Sequence, residues 1–360
     1  MTRKLLFLNG LAILAIPIQH ATAYGLQAMF LWTDRYRDVI VPNYDLLGSP
    51  SYYLTTILRH LTIFSVPGFF LISGYFIAFM VRGKESNVNL ASFWPRIKTL
   101  LYPFAIWTVI RYVLLRQFPR SVDDVLDPYH FVPVLIQFYF IAPILVGLGR
   151  RNWKGLLIGA ALLQLSFQTF RYLDDLGVNF PGLQFLIAIS PRWVFFGQQF
   201  FWLPLGLVYG LNSRDFNDFL SHNRIKLLAA AVIFGVLEFV EYFVADAFNG
   251  PAWIGPNFAT FSRNFYILFS LLFILASDFS SFRFSDSIKE LGNRSFGIYL
   301  GNIPFIYVAA VLMYRLTPWA LGIQLLYQSV LFAAGLGGPL LLMEIVRRSP
   351  ARPAYRYIFG

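Results

Sequence analysis

The chain has 360 residues, 57% of them hydrophobic and only 13% charged, a balance too apolar for an ordinary soluble domain. Its net charge of +11 is carried by Lys and Arg scattered over short loops between apolar runs, a pattern of membrane topology rather than of nucleic-acid binding. The absence of cysteine excludes disulfides, thiolate metal sites and a Cys nucleophile.

Hydropathy marks ten spans in chain order, approximately 5–24, 60–81, 98–117, 130–149, 154–171, 193–212, 226–245, 263–279, 294–314 and 321–346. A backbone crossing lipid must satisfy its own hydrogen bonds, so each span is expected to be helical. The expected fold is all-α: a polytopic integral membrane helix bundle of about 10 transmembrane helices, forming a single domain over residues 1–360.

The first run follows Arg3-Lys4 and reaches Ala21-Thr22-Ala23, the layout of a secretory signal. Pro17, Gln19 and His20 interrupt its apolar stretch, which favours a retained first helix. His20 lies some fifteen residues in, roughly 22 Å deep at the helical rise. A neutral imidazole held out of water is suited to general-base work. A hydrogen bond to a neighbouring helix, or a seat at the outer interface, explains it equally well.

The second span carries Val66-Pro67-Gly68-Phe69-Phe70-Leu71-Ile72-Ser73-Gly74-Tyr75-Phe76-Ile77-Ala78. Its Pro, Ser and two Gly stand where a plain anchor has Leu, and such residues let a backbone or ligand come close. In the third span Arg111 falls near the middle and Arg116 near the outer end. An intramembrane arginine is costly and faces a polar cavity or a partner. Glu238 and Glu241 in the seventh span, three apart on one helix face, are candidate partners, either in a structural ion pair or as catalytic carboxylates. Ser295, Tyr299 and Asn302 in the ninth span are spaced by four and three, a polar stripe on an apolar helix. It serves helix–helix hydrogen bonding as well as substrate contact. Arg59, His60, Arg171 and Arg263 sit near outer helix ends, where they line a mouth or snorkel to the interface.

An inside N-terminus puts 2–4, 82–98, 150–154, 213–226, 280–294 and 347–360 on the cytoplasmic side. With their helix ends these loops hold 19 of the 29 Lys and Arg residues, which places both termini in the cytoplasm. The outside loops 25–59 and 172–192 are long, as loops that recognise substrate often are and as freely drifting ones also are. There is no internal repeat or linker, no metal-ligand cluster, no phosphate-cradling loop and no Ser-His-Asp signature.

Four stretches resemble the membrane acyltransferase family 3. Leu8-Asn9-Gly10-Leu11-Ala12-Ile13-Leu14 through His20 is similar to that family's "R-G-L-A-…-H" helix. The Ser73-Gly74 helix is similar to its "VPLFFFLSGFFL" segment. Phe93-Trp94-Pro95-Arg96-Ile97-Lys98-Thr99-Leu100-Leu101-Tyr102-Pro103-Phe104 resembles its basic "KRIKRLLIPY" entrance to the third helix, and Leu291-Gly292-Asn293-Arg294-Ser295-Phe296-Gly297-Ile298-Tyr299-Leu300 its "SYGIYLLH" helix. The likeness departs at three positions: Asn9 and Thr99 stand where the family has Arg, and Asn302 where it has His.

The resemblance implies transfer of an acyl group, commonly acetyl, from acyl-CoA to a hydroxyl of a glycan, lipid or small molecule at the cytoplasmic (inner) membrane. The acyl-CoA is a co-substrate, and no cofactor is bound permanently. It implies His20 as the catalytic residue, acting as general base or as acyl carrier. Arg96 and Lys98, with Asn9, are the donor-binding candidates; Ser73, Arg111, Glu238, Tyr299 and Asn302 are the substrate-orienting ones. Asn9 and His20 are eleven residues apart, about 16 Å and some 20° of rotation, so both are expected to face one pore. The partners expected are acyl-CoA, a hydroxyl acceptor and membrane lipids, with no nucleic acid and no metal. A transporter or flippase of a glycan or lipid intermediate is the alternative, because polar stripes suit a permeation path too. A catalytically inactive member is a third.

Overall fold

The computed structural model describes residues 3–83, 90–116, 118–178, 180–249 and 260–360, and contains no strand among them. Fifteen α-helices run in order: α1 (Arg3–Phe30), α2 (Pro50–Leu61), α3 (Ser65–Met80), α4 (Trp94–Leu115), α5 (Val122–Leu126), α6 (Phe131–Asp175), α7 (Leu183–Ala188), α8 (Phe195–Gln198), α9 (Trp202–Leu211), α10 (Ser213–Asn249), α11 (Phe261–Ala276), α12 (Ser285–Asn293), α13 (Ser295–Leu316), α14 (Gln324–Arg348) and α15 (Tyr355–Phe359). Among the described residues seven helical stretches are long and apolar enough to cross a membrane, and α9 and α11 are shorter apolar helices. The chain is therefore a multi-pass helical membrane protein.

Most of the expected spans fall on a helix, but 193–212 covers two short ones, α8 and α9, parted at residues 199–201, and the boundaries differ in three further places. The expected outside loop 25–59 contains α2, started by Pro50 at its first position and by Ser49, whose side chain accepts from the Tyr52 N–H at 3.2 Å. Spans 130–149 and 154–171 form one 45-residue element broken at Asn152, whose φ of −152° and ψ of 80° are non-helical. There the Asn152 side chain accepts from the Gly155 N–H at 2.9 Å, which restarts the helix as an N-cap does. Finally, residues 213–225, expected as loop, are the first turns of α10. These signals are local caps, and hydropathy windows do not register them.

Helix α1 is the axis of the bundle and touches α2, α3, α11, α12, α13 and α14. It is apolar nearly all round, as a fully surrounded helix must be. Two crossings bring backbones into contact. A Cβ on Gly206 of α9 would lie 1.8 Å from the Leu71 carbonyl oxygen of α3, and one on Gly10 of α1 would lie 1.9 Å from the Ile288 carbonyl of α12. Glycine permits this approach, and in lipid such close packing replaces the hydrophobic drive between helices. The outward faces are apolar: Val109 and Val113 on α4, Ile158 and Leu162 on α6, and Val232, Val236 and Val240 on α10 are all more than half exposed. That is the surface lipid tails solvate.

Outside the spans, α5 is closed by a reciprocal cap between Ser121 and Asp124. The N–H groups of Arg120 and Ser121 that Asp124 accepts hold its carboxyl below the usual carboxylate range. This cap fixes the turn whose Asp124 carbonyl accepts from Arg111.

Candidate active site

The expected site residues fall into two regions at opposite ends of the central helices. Asn9 and His20 both lie on α1, yet they line different cavities.

The Asn9 end holds a cavity of about 400 Å³ whose walls include Asn9, Ser73, Arg96, Thr99, Ser295 and Tyr299, packed among Leu, Ile and Phe side chains. Asn9 donates to the Gly292 carbonyl at 2.6 Å and to Ser295 Oγ at 2.9 Å, so its amide ties α1 to the α12–α13 junction. Ser73 and Thr99 donate back to their own helices, to the Phe69 and Pro95 carbonyls. Arg96 is the one cation lining this cavity among the described residues. Lys98 points elsewhere: it is exposed, with Nζ 5.6 Å from the Trp94 ring centre.

At the other end, His20 lines a cavity of about 310 Å³ with Tyr24, Arg111, Asp127, His130, Arg192 and Tyr307. Neither nitrogen of His20 has a hydrogen-bond partner among the described residues, so both are open to a ligand. Arg111 comes from the last turns of α4, where it donates to the Asp124 carbonyl at 3.2 Å. His130 directly precedes α6 and lies 3.1 Å by Nδ1 from the Asp127 carbonyl.

A third cavity, of about 130 Å³, adjoins this one at His130 and Arg192, and is lined also by Gln19, Arg59, His60 and Arg263. His60 Nδ1 stands 2.5 Å from Glu238 Oε1, and both side chains are buried. A buried carboxylate on one ring nitrogen sets the tautomer and orientation of an imidazole.

The expected pairing of Arg111 with the α10 carboxylates is corrected here. Glu238 engages His60, and Glu241 accepts the backbone N–H groups of Phe261 and Ser262, 2.6 and 2.9 Å away, capping α11. The α10 face carrying them packs on α2 and α11, away from α4. Glu238 thus acts on the site through His60. Asn302 lines none of these cavities. It is fully buried and its amide donates to the Ile298 and Tyr299 carbonyls of its own helix.

Nor, among the described residues, do these cavities join into one pore. No residue lines both the Asn9-end cavity and either chamber at the His20 end. On three helices the step from one cavity to the next is taken at an aromatic side chain. On α3, Pro67 faces one and Phe69 the other; around the start of α6, His130 and Phe131; on α13, Ile303 and Tyr299. The rings of Phe69, Phe131 and Tyr299 pack together with centres 5.5 to 6.4 Å apart, and Tyr129 adds a fourth. The small-residue reading of α3 holds at its back, where Gly74 meets the Leu203 carbonyl of α9.

Sequence reasoning overlooked His130 and Arg192, and left Arg59, His60 and Arg263 open between lining a mouth and snorkelling to the interface. One signal was available. The chain has only four histidines, and three of them, His20, His60 and His130, line the two adjoining chambers. The fourth, His222, is exposed and bonds its own helix at the Asp218 carbonyl.

A family model described as an acyltransferase domain matches residues 6–344, nearly the whole chain. No curated protein and no solved structure gives a significant match.

Proposed function

The chain belongs to the acyltransferase family and is a membrane acyltransferase, and from that premise we propose that it moves an acyl group, in the simplest case acetyl, from acyl-CoA to a hydroxyl of a glycan, lipid or small molecule. The cavity shared by His20 and Arg111 carries this reading: it offers an unengaged imidazole beside a cation, inside the bundle yet open to a ligand.

His20 is the general base in this reading. Its unprotonated nitrogen takes the acceptor hydroxyl proton while the oxygen attacks the thioester carbonyl. The C–S bond breaks, and the departing thiolate recovers the proton from the imidazolium. Arg111 stabilises the charge that develops on the carbonyl oxygen. The donor enters from the cytoplasm by the Asn9-end cavity, where Arg96 holds a phosphate. Its acyl end reaches His20 when the rings of Phe69, Phe131 and Tyr299 part, a gating step of the kind that often limits turnover. In this orientation both termini are cytoplasmic and the acceptor approaches from the opposite side of the cytoplasmic membrane.

The test is His20→Ala in the full-length protein. Acyl transfer to the surface glycans and lipids, read by mass spectrometry as an added acyl mass, is expected to fall at least about 100-fold, with membrane insertion unchanged. Acylation retained in that variant removes the mechanism.

A further inference from the structure

Charge is distributed unevenly in this bundle. The two chambers at the His20 end are lined by Arg59, Arg111, Arg192 and Arg263. Guanidinium groups stay protonated at any physiological pH. Against these four, the carboxylates within reach among the described residues are Glu238, Asp127 and, acting on Arg192 from the end of α6, Asp175. Glu238 is occupied by His60, and Asp127 lines the larger chamber beside Arg111, His130 and Arg192. Asp174 and Asp175 close α6 nearer to Arg171, whose guanidinium donates to the Ser190 carbonyl, and Asp174 accepts from Gln184.

Within the smaller chamber the imbalance is sharper. Arg59 donates to the Gln19 carbonyl at 3.4 Å, whereas Arg192 and Arg263 have neither hydrogen bond nor ion pair among the described residues. Like charges sharing a partly desolvated space repel one another, and unpaired cations there are costly. Arginines at helix ends usually escape by reaching for the interface. These line an internal cavity instead, where Glu238 acts on Arg263 and Asp175 on Arg192 only from beyond ion-pair distance, so an anion entering it meets an excess of positive charge.

We propose that this chamber is an anion subsite for the acceptor: Arg59, Arg192 and Arg263 hold an oxyanion group, such as a phosphate or carboxylate, on the molecule whose hydroxyl reaches His20. This rests on the acyl-transfer reading above and gives the acceptor a chemical class. The fork of a guanidinium matches two oxygens of such a group. A volume of about 130 Å³ leaves room for such a group together with its waters. The adjoining space of about 310 Å³ takes the body of the acceptor. Because the chambers meet at His130 and Arg192, an acceptor anchored by its anion in one presents its hydroxyl in the other.

The experiment uses the purified full-length protein in detergent and inorganic phosphate as probe, with thermal unfolding as readout and chloride at matched ionic strength as control. Phosphate is expected to raise the unfolding midpoint beyond the chloride control. Arg192→Gln and Arg263→Gln are each expected to weaken the apparent phosphate affinity at least about tenfold. Arg192→Lys and Arg263→Lys keep the charge and retain part of it, which separates lost binding from lost folding. Saturating acetyl-CoA is expected to leave phosphate binding in place. Three results overturn the proposal: no phosphate-specific shift, unchanged affinity in both glutamine variants, or displacement of phosphate by acetyl-CoA, which would assign the cations to the donor. Acyl transfer surviving in His20→Ala would instead remove the mechanism while leaving a measured anion site standing.

Discussion

At the Asn9 end, about 400 Å³ of space walled by Leu, Ile and Phe contains Arg96 as its one cation among the described residues. At the His20 end, two smaller chambers share four arginines and three histidines. The same helices, α1, α3, α4 and α13, contribute to both regions, so the contrast is not one of separate domains. It arises because each helix changes chemistry along its length: α4 runs from Thr99 to Arg111, and α13 from Ser295 to Tyr307. A layer of rings keeps the two ends apart. The lesson is that a thin apolar partition lets one bundle hold two cavities of different chemistry, one largely apolar with a lone cation and one rich in arginine and histidine.

The contrast breaks most severely if the partition loses its backing. Gly206 of α9 lies against the α3 backbone directly behind the wall formed by Phe69, Ile72 and Ser73. Gly206→Ala forces a methyl into the Leu71 carbonyl and is expected to cost about 3 kcal/mol or more. The readout is the yield of monodisperse protein in detergent gel filtration, and a normal elution profile would contradict the backbone contact.

A smaller effect is expected at the lone cation. Arg96→Gln should raise the KM for acyl-CoA about tenfold while leaving the acceptor KM as it was. If the acceptor KM moves instead, the ends have been assigned the wrong way round. The smallest change sharpens the contrast by erasing it. Thr99 stands three residues after Arg96 on the same face of α4 and lines the same cavity. Thr99→Arg adds a second cation there and is expected to lower the acyl-CoA KM severalfold, on the order of one added charge-assisted hydrogen bond. No change in binding would show that the phosphates do not lie along that face.

Much of the helical plan was legible because lipid leaves a chain few choices. Runs such as Val66–Ala78 must be helical, and the expected spans do fall on helices except 193–212, which is broken between α8 and α9. The kink at Asn152 and the extra helix from Pro50 were less legible, since both are built by caps of one or two residues. At the site, the histidine on α1 and the arginine on α4 line one cavity, a meeting that no spacing within either helix had indicated. Glu238 instead belongs with His60, because partner choice depends on how α10 rotates against α2, and no spacing within one helix encodes that rotation. Asn302 continues the polar spacing of α13, yet its amide closes on its own helix, a choice made by the tight packing around it.

By itself the sequence determined that this chain lives in a membrane as a helical bundle, and that it carries the acyltransferase motifs from α1 to α13. Apolar length and backbone hydrogen bonding are properties of single segments, so they can be read one segment at a time. Only the tertiary structure decided that the expected single pore is parted by Phe69, Phe131 and Tyr299, and that Arg59, Arg192 and Arg263 share a chamber. Those residues lie far apart along the chain, and proximity between them is a property of packed helices rather than of any one of them.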